Sequence, residues 1–179
     1  MTSGAESSMQ AYDLSKVRVL AIDNSYGMQQ LVQRTLQVFN VRELSVVNSG
    51  TEALTMIPIF RPDLVIVDTI TDDISGYELT RLLRSPQVTK DPFISIVMMS
   101  GFATWESVRM GRDAGINEYL VKPWSPKSLY EKISAVIENP RYFVKCESFF
   151  GPDRRRKERD KLPWPDRRGG GGANQQVTA

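Results

Sequence analysis

Five polar residues share one kind of position in this sequence, each at the end of a short apolar run. Asp23-Asn24 follow VRVLAI, Asp68 closes LVIVD, Ser100 follows FISIVMM and Lys122 follows YLV. Brought side by side, they would make a cluster of two carboxylates, an amide, a hydroxyl and an ammonium. Such a set suits transfer of a phosphoryl group to a carboxylate. Asp68 would be the nucleophile, forming an acyl phosphate. Asp23 would hold Mg²⁺, which prefers hard oxygen ligands and keeps several waters, and the metal would neutralise phosphoryl charge and fix the line of attack. Lys122 would pair with one phosphoryl oxygen and Ser100 would donate a hydrogen bond to another. Each residue also has a plainer reading: helix cap or turn for Asp23-Asn24, turn aspartate for Asp68, turn pair for Ser100-Gly101, surface lysine for Lys122. The plain readings must all hold together at consecutive strand ends, and that is what separates them from the chemical one.

The elements that would position these residues alternate along the chain. Val17–Ile22 reads as a buried strand, and Met28–Phe39 places Met28, Leu31, Val32, Thr35, Leu36 and Phe39 on one helical face. Leu44–Val47 is a short second strand; Thr51–Phe60 is a helix that Pro58 should distort or stop. Arg61-Pro62-Asp63 signals a turn before the third strand, Leu64–Val67, and Gly76–Arg84 is amphipathic. Phe93–Met99 is the fourth strand, and Trp105–Ala114 is a helix with Gly115 just past its end. Tyr119–Val121 is the fifth strand, and Ser125-Pro126 opens a last helix to about Glu138. Five strands alternating with five helices predict an α/β fold, a parallel sheet covered on both faces. In such sheets chemistry gathers at the carboxyl ends of the strands.

Composition narrows the function. The chain has 179 residues and no histidine. That excludes a Ser-His-Asp triad, a histidine-rich zinc site and any phosphohistidine on this chain. No apolar run approaches the ~20 residues that span a bilayer. The single cysteine, Cys146, cannot form an internal disulfide, and a cytoplasmic location is expected. Residues 1–140 carry 13 basic and 16 acidic side chains, whereas residues 141–179 carry 10 and 5. The sign change marks off an acidic body (16–139) from a basic, partly disordered tail (140–179), and a polar flexible leader (1–15) precedes the body.

Over Lys16 to Asn139 the sequence resembles the receiver domain of bacterial response regulators, the chemotaxis regulator being the simplest relative. The pieces that carry the resemblance are LAIDN (Leu20–Asn24), LVIVD (Leu64–Asp68), MMSG (Met98–Gly101) and DAGINEYLVKPW (Asp113–Trp124), in order and at family-like spacing. The resemblance implies a flavodoxin-like doubly wound sheet of strand order 2-1-3-4-5 and a cis peptide before Pro123. It implies two-component signalling without turnover catalysis: a histidine kinase or histidine phosphotransfer protein phosphorylates Asp68, with Ser100 and Lys122 as phosphoryl partners. Ser100 and Tyr119 would then act as the switch that alters contacts with a downstream protein. Asp23, Asn24, Asp68 and the backbone carbonyl of Ile70 would hold the metal.

Two departures stand out. The family usually has a second acid where Asn24 stands, and usually Met-Pro-x-Met-Asp-Gly after the phospho-acceptor. Here the loop is Ile70-Thr71-Asp72-Asp73-Ile74-Ser75-Gly76, keeping only the glycine. Weak Mg²⁺ binding is therefore expected, and a phosphorylation-independent adaptor, or pseudoreceiver, is the second reading. An aspartate-nucleophile phosphatase is disfavoured, because Ser25 and Ile70 stand where its second aspartate would be; flavin binding lacks a Ser/Thr-rich loop after the first strand. In the tail, Tyr142–Phe150 reads as an extended segment against the body, Gly151-Pro152-Asp153 as a turn, and residues from Gly169 on as disordered. The tail leaves no room for a DNA-binding output domain of ordinary size. The basic residues of Arg154–Arg168 read either as a solvated tail or as an electrostatic contact for nucleic acid or an acidic partner.

Overall fold

A computed structural model describes residues 12–138, 141–146, 149–153 and 175–177. Its central sheet contains β1 (Arg18–Ile22), β2 (Glu43–Val47), β3 (Leu64–Asp68), β4 (Ser95–Ser100) and β5 (Glu118–Val121), all parallel, in the order β2-β1-β3-β4-β5. Between and after the strands run α1 (Tyr26–Val38), α2 (Gly50–Phe60), α3 (Gly76–Leu83), α4 (Trp105–Ala114) and α5 (Pro126–Glu138). The parallel sheet is what the alternating elements predict, and its strand order is the one the resemblance implies.

Every residue of β3 is buried, which explains its unbroken apolar run: a central parallel strand is covered on both faces. Alternation then divides the side chains between two cores. Val19, Ala21, Leu64, Ile66, Val97 and Met99 pack with α1 and α5 through Val32, Leu36, Leu129 and Ile133. Leu20, Ile22, Val65, Val67, Ile96 and Met98 pack with α2 and α3 through Ala53, Ile57, Leu79 and Leu83. Clamped from both sides, the strand ends become a fixed platform.

Helix ends follow local chemistry. Ser49, Ser75 and Thr104 accept N–H bonds from Glu52, Glu78 and Ser107 at the starts of α2, α3 and α4. Gly115 ends α4 at φ 103°, the left-handed conformation the sequence assigns to glycine there. Gly76 answers a different need. A Cβ at this position would stand 2.0 Å from the Asp68 carbonyl oxygen, so only glycine lets α3 start against the end of β3.

Several boundaries differ from the sequence reading. Helix α2 keeps its expected end at Phe60, but Pro58, in its last turn, does not stop it short. Phe93 and Ile94 precede β4, and the Arg84 guanidinium donates to the Ile94 carbonyl oxygen at 2.7 Å. Leu14 is part of the core and Tyr12 packs against it, so order begins before Lys16.

The tail departs most. Beyond α5, β6 (Phe143–Cys146) pairs antiparallel with β7 (Phe149–Pro152) and with β8 (Gln175–Val177), in the order β7-β6-β8. The segment expected to lie extended is thus a strand pair, and Gly151-Pro152 belongs to β7 and not to a turn. Pro152 is tolerated because β7 is an edge strand. Gln175–Val177, expected to be disordered, pairs with β6. The basic run of the tail and residues 169–174 lie outside the described residues.

This small sheet closes over Arg84. The guanidinium is buried and donates to the carbonyl oxygens of Gly115, Pro92 and Ile94 and to Asn117 Oδ1, at 2.7–3.0 Å. The Phe143 ring centre lies 5.1 Å from its central carbon, and Phe143 in turn packs against Phe93 edge-to-face and against Phe150 at a tilt. Burial pulls the guanidinium down to about 9, with the charge of Asp91 opposing, so it remains a cation at neutral pH. All these contacts gather at the amino-terminal edge of the sheet.

Candidate functional site

The opposite, carboxyl edge brings together the residues singled out by their types. Asp23 directly follows β1 and is 2% exposed; Asp68 ends β3 at 8%. Lys122 directly follows β5 and reaches back across the sheet. Its ammonium donates to Asp23 Oδ2 and Asp68 Oδ2, both at 2.8 Å. Burial presses the Lys122 ammonium down, but the hydrogen bonds and charges of Asp23 and Asp68 outweigh it, and the group is held above the usual lysine value. The Lys122–Pro123 peptide is cis, as the resemblance implies.

The remaining oxygens are also engaged. Asp23 Oδ1 accepts the Ser25 N–H at 2.8 Å, and the Asp23 carbonyl accepts from Gln29 Nε2 at 2.6 Å. Asp68 Oδ1 lies 3.4 Å from the Thr69 hydroxyl. Ser100, fully buried at the end of β4, accepts at Oγ from Thr69 Oγ1 (3.2 Å) and from the Phe102 N–H (3.1 Å). Its carbonyl accepts the Lys122 N–H at 2.7 Å, so backbone as well as side chains tie β4 to β5 at this edge.

Asn24 is exposed on the turn after Asp23, and its Nδ2 donates to Asp72 Oδ1 at 2.7 Å. Asp72 therefore leans towards the edge of the cluster. Asp73, its neighbour, turns away: its carboxylate accepts the N–H groups of Gly50 and Thr51 at the start of α2 and of Ile74 on its own loop. These bonds, with the Thr51 hydroxyl contributing most, hold its carboxyl well below the usual carboxylate range. Ile70 lies on the same loop with its side chain exposed. Among the described residues no three His, Cys, Asp or Glu side chains group as a ready-made metal cage.

Tyr119 on β5 is half-buried and donates to the Phe102 carbonyl oxygen at 2.9 Å. Beside it, Tyr77 of α3 contacts the Ser107 carbonyl; burial, the Tyr119 hydroxyl and nearby charge push its phenol up to about 12. Thr69, Tyr77 and Gln29 escaped the sequence reading. Thr69 was open to notice because it adjoins Asp68; Tyr77 and Gln29 are half-buried and meet partners, the Ser107 carbonyl and Asn48, that only the packed fold brings to them.

The model of the response regulator receiver domain family matches residues 19–134. The chain belongs to that family. It is a response regulator receiver domain of two-component systems. Among curated relatives, the DNA-binding response regulator MtrA of Mycobacterium tuberculosis is 28% identical over 123 residues, covering 69% of this chain and 51% of MtrA. Response regulator MprA of Mycobacterium leprae is 32% identical over 125 residues, covering 70% and 53%. The chain thus spans about half the length of the curated relatives it matches. Among solved structures, the chemotaxis response regulator CheY4 of Vibrio cholerae superposes with a TM-score of 0.61 at 30% identity, covering 67% of this receiver chain and 98% of CheY4. No helix among the receiver's described residues is long and apolar enough to cross a membrane.

Proposed function

We propose that Asp68 accepts a phosphoryl group from a phosphohistidine of a partner histidine kinase or histidine phosphotransfer protein, and that the acyl phosphate then changes which protein the receiver contacts. The observation that carries this reading is the Lys122 ammonium shared between Asp23 and Asp68 at 2.8 Å from each. A cation already beside the nucleophile can follow the charge onto a phosphoryl oxygen. Since the chain holds no histidine, the donor imidazole belongs to the partner. An Asp68 oxygen forms the new P–O bond as the P–N bond breaks; the electron pair returns to the imidazole nitrogen, which takes up a proton. The product is the modified chain itself, so the receiver is not a turnover enzyme.

The donor set suits Mg²⁺, since Asp23 and Asp68 supply carboxylate oxygens and Asn24 and Ile70 carbonyl oxygens. The fit is a weak one: Asn24 offers a carbonyl oxygen but brings no charge. When bound, the metal supplies neutralisation of the phosphoryl charge.

The phosphoryl group brings about −1.5 to −2 charges to the end of β3. Ser100 donates to it, and the loop after β4 follows. The Tyr119 bond to the Phe102 carbonyl depends on that loop, so Tyr119 is released to repack. Phe102, Trp105 and Val121 expose apolar surface around it, where a partner protein would read the change. The lone cysteine, exposed and unbridged, suits a cytoplasmic setting.

The test is incubation with a small-molecule phosphodonor and Mg²⁺ followed by intact mass, with Asp68→Asn as control. A mass gain lost in the variant supports the reading. No gain, with candidate kinases also supplied, moves the assignment to a phosphorylation-independent adaptor.

A further inference from the structure

We propose that Thr69 is a positioning residue: its hydroxyl commits Ser100 to act as a hydrogen-bond donor towards a phosphoryl group on Asp68. The inference deepens the reading above and rests on it.

A serine hydroxyl has one proton and two lone pairs. In this structure two donors converge on Ser100 Oγ, the Phe102 N–H at 3.1 Å and Thr69 Oγ1 at 3.2 Å. With both lone pairs occupied, the remaining capacity of Ser100 is its proton. Ser100 has no exposed surface, so that proton cannot be turned out to bulk water. It is left for an acceptor arriving at the end of the neighbouring strand β3, where Asp68 stands opposite Met99 in the β3–β4 register. A newly made acyl phosphate brings three oxygens to that place.

Thr69 is well fixed for the task. It is buried, its N–H donates to the Met99 carbonyl at 2.9 Å, and its own carbonyl accepts the Gly76 N–H at 3.1 Å. One bond ties it to β4, the strand that carries Ser100, and the other to the start of α3. A Cβ on Gly76 would come within 3.1 Å of Thr69 Cα, so the helix also presses directly on this backbone. As a β-branched residue, threonine has few rotamers to choose among. Its hydroxyl stands between the two groups that matter, 3.4 Å from Asp68 Oδ1 and 3.2 Å from Ser100 Oγ. It has one proton for these two acceptors, and the shorter contact is the Ser100 one. Without the Thr69 donor, one Ser100 lone pair is vacant and the hydroxyl is free to rotate among settings that do not face the phosphoryl group.

Beryllium fluoride, a tetrahedral mimic of the phosphoryl group, tests this by calorimetric titration of the full chain in the presence of Mg²⁺. Thr69→Val removes the hydroxyl while keeping shape and branching; Thr69→Ser restores it. Loss of one neutral hydrogen bond predicts about fivefold weaker binding in Thr69→Val, with Thr69→Ser close to the unsubstituted chain. In a Ser100→Ala background Thr69→Val should cost nothing further, since its effect passes through Ser100. Undiminished binding by Thr69→Val, or the same loss with Ser100 already removed, overturns the inference. Weak binding by both Thr69→Val and Thr69→Ser overturns it too, because side-chain packing would then be the cause. No binding by the unsubstituted chain, with Asp68→Asn as blank, overturns the functional reading and takes this inference with it.

Discussion

Replacing Lys122 with methionine tests how the carboxyl edge of the sheet is held together. In the receiver the ammonium bonds both carboxylates, and twice 2.8 Å bounds the separation of the two bonded oxygens at about 5.6 Å. At an effective dielectric of about 20, unit charges that far apart repel by roughly 3 kcal/mol. Methionine fills similar volume but leaves Asp23 and Asp68 facing each other with no cation between them. Breaking a buried ion pair from one side typically costs about 3–5 kcal/mol, and here the exposed carboxylate repulsion accounts for most of it. Urea unfolding at neutral pH with a chelator present should therefore show Lys122→Met less stable by about 3–5 kcal/mol. Adding Asp23→Asn to that variant removes one of the two charges and should return roughly 3 kcal/mol. Mg²⁺ in place of the chelator should stabilise Lys122→Met more than the unsubstituted receiver, because the cation has no ammonium to displace. A loss below about 1 kcal/mol, or no recovery on adding Asp23→Asn, would refute the claim that Lys122 neutralises this pair.

Three further outcomes are expected. Asn24→Asp restores a charge beside Asp23 and should tighten Mg²⁺ binding by on the order of tenfold in a calorimetric titration. Arg84→Met leaves the carbonyls of Pro92, Ile94 and Gly115 without their donor; a loss of about 2–4 kcal/mol, with faster amide exchange in β6, should appear in hydrogen-exchange mass spectrometry. The Tyr77 phenol titrates at about 12 in the fold against 10.0 ordinarily. The fold thus disfavours its ionisation, so its contribution is intact below pH 10 and falls as pH rises towards 12; Tyr77→Phe should flatten that part of the stability–pH curve.

Sequence disclosed the sheet readily because its evidence is local. LVIVD can hardly be anything but a strand buried on both faces, and the alternating helices force a parallel order. The strand-end residues were legible for the same reason, since parallel topology places every strand's carboxyl end on one edge. What stayed hidden depends on closure between distant segments. Arg84, at the end of an amphipathic helix, reads as a solvated charge until Phe143 and Phe150 arrive from beyond α5. Asp72 and Asp73 are adjacent and identical in type, yet one meets Asn24 and the other caps α2. Only the path of the loop separates them. Thr69 lies next to the most conspicuous residue in the chain, but its partner Ser100 comes from another strand, 31 positions away.

Strand β4 can be viewed as a strut loaded at both ends. At its start, Ile94 is tied to Arg84, and Phe93 to the β6–β7 pair; at its finish stands Ser100. The strand between them is buried almost throughout and bonded on both sides, so it has little slack. A pull on the chain beyond α5 is consequently borne by the same rod whose far tip faces Asp68. The packing around the tail at one pole of the receiver and the carboxylate cluster at the other thus share a single buried strand.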